Sequence, residues 1–218
     1  MSIIPWRVKN FLSVQFPLAY HLAVNLGVRG NDAAHWDKRL AETWDARDWP
    51  TKTALIASLV RPSDKILDIG CGSGSILRSL KAQGFADLHG LEISNYAVER
   101  LRSEGITMYQ GTLPRLPLPD GQFDVVIASQ VLEHIIRRRL FLSEIHRVLK
   151  PGGRAFIFVP NNCLGPIDEP EHVVCFNEES FTKELVRHFE LVSIEVMRDV
   201  NYQISLLFGH VKRLNLAH

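Results

Sequence analysis

From Lys65 onward the chain alternates short apolar runs with segments whose apolar residues recur at helical spacing. KILDIG (65–70) is a continuous apolar run of strand length, and SILRSLKAQG (75–84) reads as a helix stopped by Gly84. DLHGLEI (87–93) is a second strand. NYAVERLRSEG (95–105) is a helix with Ser94 as its N-cap and Gly105 after its end, and ITMYQG (106–111) is a third strand. FDVVIAS (123–129) is the strongest strand signal, followed by helical RLFLSEIHRVL (139–149), a KPGG turn and the strand RAFIFVP (154–160). EESFTKELVRHF (178–189) is a last helix, and LVSIEVM (191–197) with YQISLLFGHV (202–211) predicts a closing hairpin.

Strands that alternate with helices predict an α/β domain with a doubly wound, mostly parallel sheet. Upstream, NDAAHWDKRLAETWDARDWP (31–50) and TKTALIASLV (51–60) read as helices, with Pro62 closing the second. The expected organisation is an N-terminal helical extension over 1–50, acting as a lid, and one domain over 51–218. Within the first 31 residues, Leu18, Leu22 and Leu26 recur at helical spacing and no acid precedes Asp32. Gln15, Pro17, His21 and Asn25 interrupt the apolar pattern, which argues against a signal peptide or a membrane span. A helix packed on the domain is expected there, with attachment to a membrane surface the alternative.

At 218 residues the chain suits one sizeable core. It carries 25 basic and 24 acidic residues, a net charge of +1, so no global field draws in nucleic acid or inserts the chain stably into anionic membranes. Three cysteines (Cys71, Cys163, Cys175) without metal-ligand spacing point to a reduced, cytoplasmic protein. A homodimer is left open.

The chemistry concentrates at Asp68-Ile69-Gly70-Cys71-Gly72-Ser73-Gly74. Clustered glycines mean that backbone turns sharply or comes close to something, and the end of the first strand is where ligands bind such sheets. A phosphate-binding P-loop would need Gly-Lys-Ser/Thr, which is absent, and a dinucleotide fold would want glycine where Ser75 stands. Glu92 ends the second strand 24 residues after Asp68 and can accept hydrogen bonds from both ribose hydroxyls, a feature that also fits NAD.

The combination resembles the class I S-adenosylmethionine-dependent methyltransferases. GTLPRLPLPDGQFDVVIASQVLEHI (111–135), RVLKPGGRAFIFVPN (147–161) and EPEHVVCFNEESFTKEL (169–185) are similar to successive segments of the small-molecule branch, the group that includes ubiquinone and menaquinone biosynthesis. The resemblance implies a Rossmann-like, seven-stranded sheet with an antiparallel last strand, and S-adenosyl-L-methionine as cofactor. It implies that Gly70, Gly72 and Gly74 let backbone approach the methionine half, with Cys71 a small loop filler among them. Asp68 would hold the loop and the amino group, and Glu92, followed by Ile93, the ribose. Thr112 and Leu113 occupy the adenine-contacting turn, where an acid is usual. Ser129 and Gln130 would face the methionine and the sulfonium.

The acceptor is read by elimination. No Asn/Asp-Pro-Pro-aromatic stretch follows the fourth strand, no Pro-Cys pair supplies a nucleophile, and Glu133 stands there without a second glutamate. A small-molecule acceptor remains, with oxygen the expected atom; the alternatives are a non-catalytic cofactor-binding regulator of this fold, or a macromolecular acceptor. Methyl transfer to a hydroxyl needs a base, and histidine titrates near neutrality. His134, in VLEHI, is expected beside the transferred methyl, and His172, in EPEHVVCF, against the acceptor. No metal is expected, because its ligands would have to converge from separate loops. The arginine run 137–139 reads as a solvated helix start.

Overall fold

A computed structural model describes residues 32–45, 49–161, 172–198, 200 and 205–214. The N-terminal leucine pattern, with residues 1–31 and 46–48 of the expected lid, and Cys163 lie outside the described residues.

Among the described residues, two helices precede the first strand. α1 (Ala33–Thr43) is capped by Asp32, whose carboxylate accepts the His35 amide at 2.8 Å, and α2 (Pro50–Leu59) starts on a proline that needs no amide partner there. The expected alternation follows as β1 (Ile66–Ile69), α3 (Ser75–Ala82), β2 (Leu88–Glu92), α4 (Asn95–Ser103), β3 (Thr107–Gln110) and β4 (Phe123–Ser129). A one-turn 3-10 segment, Leu132–His134, leads into α5 (Arg138–Val148), β5 (Leu149–Pro160), α6 (Glu178–Leu185), β6 (Phe189–Arg198) and β7 (Ser205–Arg213). Ser94 caps α4 as the sequence suggests, its hydroxyl accepting the Ala97 amide. Arg137 and Arg139 are exposed, in line with a solvated helix start.

The seven strands form one sheet in the order β3-β2-β1-β4-β5-β7-β6. β3, β2, β1, β4 and β5 run parallel, and β7 runs antiparallel between β5 and β6. The KPGG segment differs from expectation. It lies inside β5, where the pairing jumps from Phe123↔Leu149 to Val125↔Arg154, so the extra residues are absorbed as a bulge.

Alternating side chains of the central strands fill two cores. Leu67, Ile69, Val126 and Ala128 pack beneath α5 and α6, whereas Ile66, Val125 and Ile127 meet Leu40, Ile56, Leu77 and Leu101 from the first four helices. Both faces of β1 are therefore buried, which is why it reads as an unbroken apolar run. The strand order reverses between β1 and β4, and the loops at their carboxyl ends face a shared crevice.

The glycine loop is shaped by this packing. Gly74 has φ +72°, and a Cβ there would stand 2.5 Å from a Leu101 methyl of α4; Gly70 (φ +63°) would meet Val131 at 2.7 Å. Their close approaches are to the protein's own core. Gly84 shares the left-handed backbone but faces open space. Gly74→Ala is therefore expected to lower stability by roughly 2–4 kcal/mol, strain and overpacking together, against about 1 kcal/mol for Gly84→Ala. Thermal unfolding of the two variants checks this, and equal losses would remove the packing component.

Candidate functional site

β1 ends at Ile69 and the chain turns at once, with the Gly70 amide donating to the Leu91 carbonyl at 2.7 Å. This bond lays the glycine loop across the end of β2, where Glu92 waits. The Glu92 carboxylate accepts the Gly72 amide at 2.8 Å on one oxygen, and the Ile93 and Ser94 amides at 2.9 and 3.1 Å on the other. Burial pushes its proton affinity up while the three amides pull it down. A carboxylate offers about four acceptor positions, so one remains for a ligand hydroxyl unless the Gly72 bond opens. Two ribose hydroxyls, as expected from sequence, require that opening.

α1 reinforces the same corner. Asp37 accepts the Ser94 hydroxyl at 2.6 Å and the Tyr96 amide at 3.1 Å, tying α1 to the start of α4. Asp32 and Ala33 from the α1 start join Ile93, Gln110, Gly111 and Thr112 around a cavity of about 350 Å³. Ile93 and Thr112, from two different strand ends, thus share one cavity as the sequence suggested. Leu113 packs partly buried against the core beside it. A roomier groove, about 540 Å³, lies between α2 and α3 and is lined by none of the expected site residues.

Beneath the glycine loop is a buried cluster of charge that sequence patterning did not reveal. Lys52, on α2, is 2% exposed. Its ammonium donates to the Ser129 hydroxyl at 2.7 Å and sits 4.0 Å from the centre of the Trp49 ring. Asp68 is buried as well, and desolvation pushes its pKa up to about 7 against the pull of the Lys52 ammonium; the Glu92 charge adds to the rise. Cys71 lies beside these carboxylates, and burial first, then Glu92 and Asp68, push its thiol well above the usual range. A thiol held neutral is no nucleophile, which agrees with a loop-filling role. A lysine in TKTALIASLV carries no sequence signal of burial; only the packing of α2 against β4 and β5 supplies it.

β4 ends at Ser129, and Gln130 follows with a left-handed backbone, φ +57°, its amide donating to the Phe158 carbonyl at 2.8 Å. Non-glycine residues take this conformation rarely, and they cluster where a backbone is held for function. Three residues on, Glu133 is 1% exposed with both carboxylate oxygens lacking a hydrogen-bond partner. Desolvation pushes its pKa up to about 8, with its own backbone amide and the Lys52 ammonium opposing. His134 and His172 are far apart in sequence, yet their rings stand 4.7 Å apart and nearly perpendicular. The His172 segment is pinned there by the Val173 amide, which donates to the Glu133 carbonyl at 2.8 Å. Trp36 of α1 presents its ring edge-on to His134 at 5.9 Å. The two histidines named from sequence are thus neighbours; the glutamate beside them has a sequence reading only as half of an absent pair.

Comparison with known proteins agrees with this geometry. Residues 67–157 match the family model described as a methyltransferase domain. The chain is 37% identical over 102 residues to a sterol 24-C-methyltransferase of Gibberella zeae, covering 43% of this chain and 27% of that protein. It is 30% identical over 139 residues to the 27-O-demethylrifamycin SV methyltransferase of Amycolatopsis mediterranei, covering 58% and 51%. The chain therefore spans about a quarter to half of these curated relatives. Among solved structures, a chain of the complex between the Haloferax volcanii Trm112 methyltransferase activator and a methyltransferase superposes with a TM-score of 0.71 at 19% identity, covering 86% of this chain and 98% of that one. A SAM-dependent methyltransferase from Aquifex aeolicus superposes with a TM-score of 0.63 at 18% identity, over 84% and 99%.

The buried Asp68 makes the ligand-free chain pH-sensitive. Its pKa is 3.8 when exposed and about 7 in the fold. Between those values the folded chain holds a proton that the unfolded chain has lost, so folding stability declines as pH rises from about 4 to about 7. Asp68→Asn is expected to flatten that decline. Chemical denaturation at a series of pH values reads it, and an unchanged slope in the variant would mean that Asp68 is ionised in the folded chain.

Proposed function

We propose that this chain, which belongs to the class I S-adenosylmethionine-dependent methyltransferases, moves the sulfonium methyl group to an oxygen of a small-molecule acceptor. The observation that carries the reading is the convergence of Asp68, Glu92 and the cavity beside Ile93 and Thr112 on the carboxyl edge where the strand order reverses. In this reading Glu92 takes a ribose hydroxyl and the cavity takes the adenine, against the Thr112–Leu113 backbone. Asp68, ionised on binding, meets the methionine ammonium. Lys52 and Ser129, joined by their hydrogen bond, supply positive charge and a donor for the methionine carboxylate. The methyl then points from the Ser129–Gln130 turn towards the histidine pair.

The cofactor brings an activated methyl group, so the chain's own task is alignment, exclusion of water and management of the acceptor's proton. The Glu133, His134 and His172 cluster is the place for that last step. Trp36 packs against His134, and Asp32 and Ala33 line the cavity; these contacts of the described part of the extension support the expected role of residues 1–50 as a lid on a domain over 51–218. The relatives act on different acceptors, a sterol carbon in one and a rifamycin oxygen in another, as their names state. The histidine cluster favours oxygen here. Near-neutral net charge speaks against a nucleic-acid acceptor. No helix among the described residues is long and apolar enough to cross a membrane. A cytoplasmic enzyme is part of the same reading, since the three cysteines are odd in number and lack metal-ligand spacing.

Glu92→Ala is expected to weaken S-adenosylhomocysteine binding by roughly 10- to 150-fold, since a charge-assisted hydrogen bond contributes about 1.5–3 kcal/mol. Titration calorimetry measures it, and unchanged affinity in a folded variant would sink the ribose assignment. Release of S-adenosylhomocysteine across a panel of phenols, sugars and lipid-linked alcohols tests the activity itself. With a productive acceptor, His134→Ala and His172→Ala are each expected to lose ~10²–10⁴-fold in turnover while cofactor affinity stays within a few fold. Near-normal rates in both would retire the role of the cluster and leave methyl transfer standing.

A further inference from the structure

Glu133 poses a physical problem. A carboxylate that is 1% exposed, with neither oxygen hydrogen-bonded, costs several kcal/mol unless something satisfies it. Around Glu133 the neighbours are imidazoles. One donor atom each from Glu133, His134 and His172 lie within 4.8 Å of one another. Donors about 2.0–2.2 Å from one tetrahedral ion stand roughly 3.5 Å apart, so modest side-chain rotation brings the three onto a common centre. The backbone is already set for it. Glu133 and His134 come from one 3-10 turn, and the Val173 amide locks the His172 segment to that turn through the Glu133 carbonyl. The sequence-based objection, that ligands from separate loops would have to converge, is met by this hydrogen bond.

We propose that Glu133, His134 and His172 bind one divalent transition-metal ion. Two imidazoles and a carboxylate suit ions of the borderline class, such as zinc or cobalt, better than magnesium or calcium, which prefer all-oxygen shells. Three protein ligands leave a coordination position open, as in metal sites that hold a reactant. The ion would also correct a local charge shortage, since the Lys52 ammonium acts on both Asp68 and Glu133. Its use rests on the methyl-transfer reading. An acceptor hydroxyl on the open position loses its proton to solvent water, and its oxygen then attacks the methyl carbon. The carbon–sulfur bond breaks with its electron pair left on sulfur, giving S-adenosylhomocysteine, and the ion keeps its oxidation state. The histidines then act as ligands and the metal, in place of a free imidazole, makes the hydroxyl acidic.

The test uses Co²⁺ added to the full chain after chelation and desalting, followed by visible absorption and by metal analysis of the desalted complex. One Co²⁺ per chain with ligand-field bands is expected. Glu133→Gln and His172→Ala are each expected to weaken binding by more than the ~10–100-fold that loss of an outer-shell partner costs. S-adenosylhomocysteine affinity within a few fold of the parent certifies that each variant is folded, and either folded variant suffices. Failure of the parent to take up stoichiometric Co²⁺ overturns the inference, as does uptake undiminished in a folded variant. A parent chain that binds Co²⁺ at these residues but no S-adenosylhomocysteine would overturn the methyl-transfer reading and leave the metal site intact.

Discussion

The Glu92 carboxylate, accepting amides from Gly72, Ile93 and Ser94, joins the ends of β1 and β2 into one corner. Much of the site follows from it. The Gly70 amide lays the glycine loop across β2 on the Leu91 carbonyl, and the Glu92 carboxylate adds a second tie through the Gly72 amide. The same carboxylate fixes the direction in which the chain leaves β2, which places Ser94 to cap α4 and to meet Asp37 of α1. α4 then brings Leu101 against Gly74, so that the loop is clamped from both sides. A substitution at Glu92 therefore touches ligand binding and local architecture together, and only calorimetry on a folded variant separates them.

Charge buried near this corner is expensive. Lys52, Asp68 and Glu133 each stand in a place that a close-packed apolar residue would fill at lower cost, and replacing buried ionic groups by apolar ones is often neutral or stabilising. Desolvation dominates the raised proton affinity of both acids. In the proposed reading, a ligand that carries an ammonium and a carboxylate on one carbon would meet Asp68 and Lys52 and offset part of that cost. The left-handed Gln130 beside Ser129 belongs to the same pattern, strain held in place by the surrounding sheet.

Helices α1 and α2, outside the alternating pattern, contribute more to the site than their position in the chain suggests. α2 delivers Lys52 and stacks its ammonium on Trp49; α1 delivers Asp37 to the corner, Trp36 to the histidines and its own start to the cavity wall.

What the sequence determined by itself is the set of features that depend on short stretches of chain. Unbroken apolar runs named the central strands because both their faces are covered, and period-3.6 patterns named the helices because each buries one face against the sheet. The glycines, Asp68 and Glu92 were legible because a sharp turn and a strand-end acid are local events, and Ser94 because capping is local too. Only the tertiary structure decided which distant groups meet. Lys52 looks like any helix-surface lysine until α2 is laid on β4 and β5, and the KPGG bulge in β5 appears only once its pairing with β4 is counted. His134 and His172 could be named singly, but their contact, with the buried Glu133 beside them, is held in part by a backbone hydrogen bond from Val173 across 40 residues of chain. Pairing of that kind is set by packing of the whole sheet, and no window of sequence contains it.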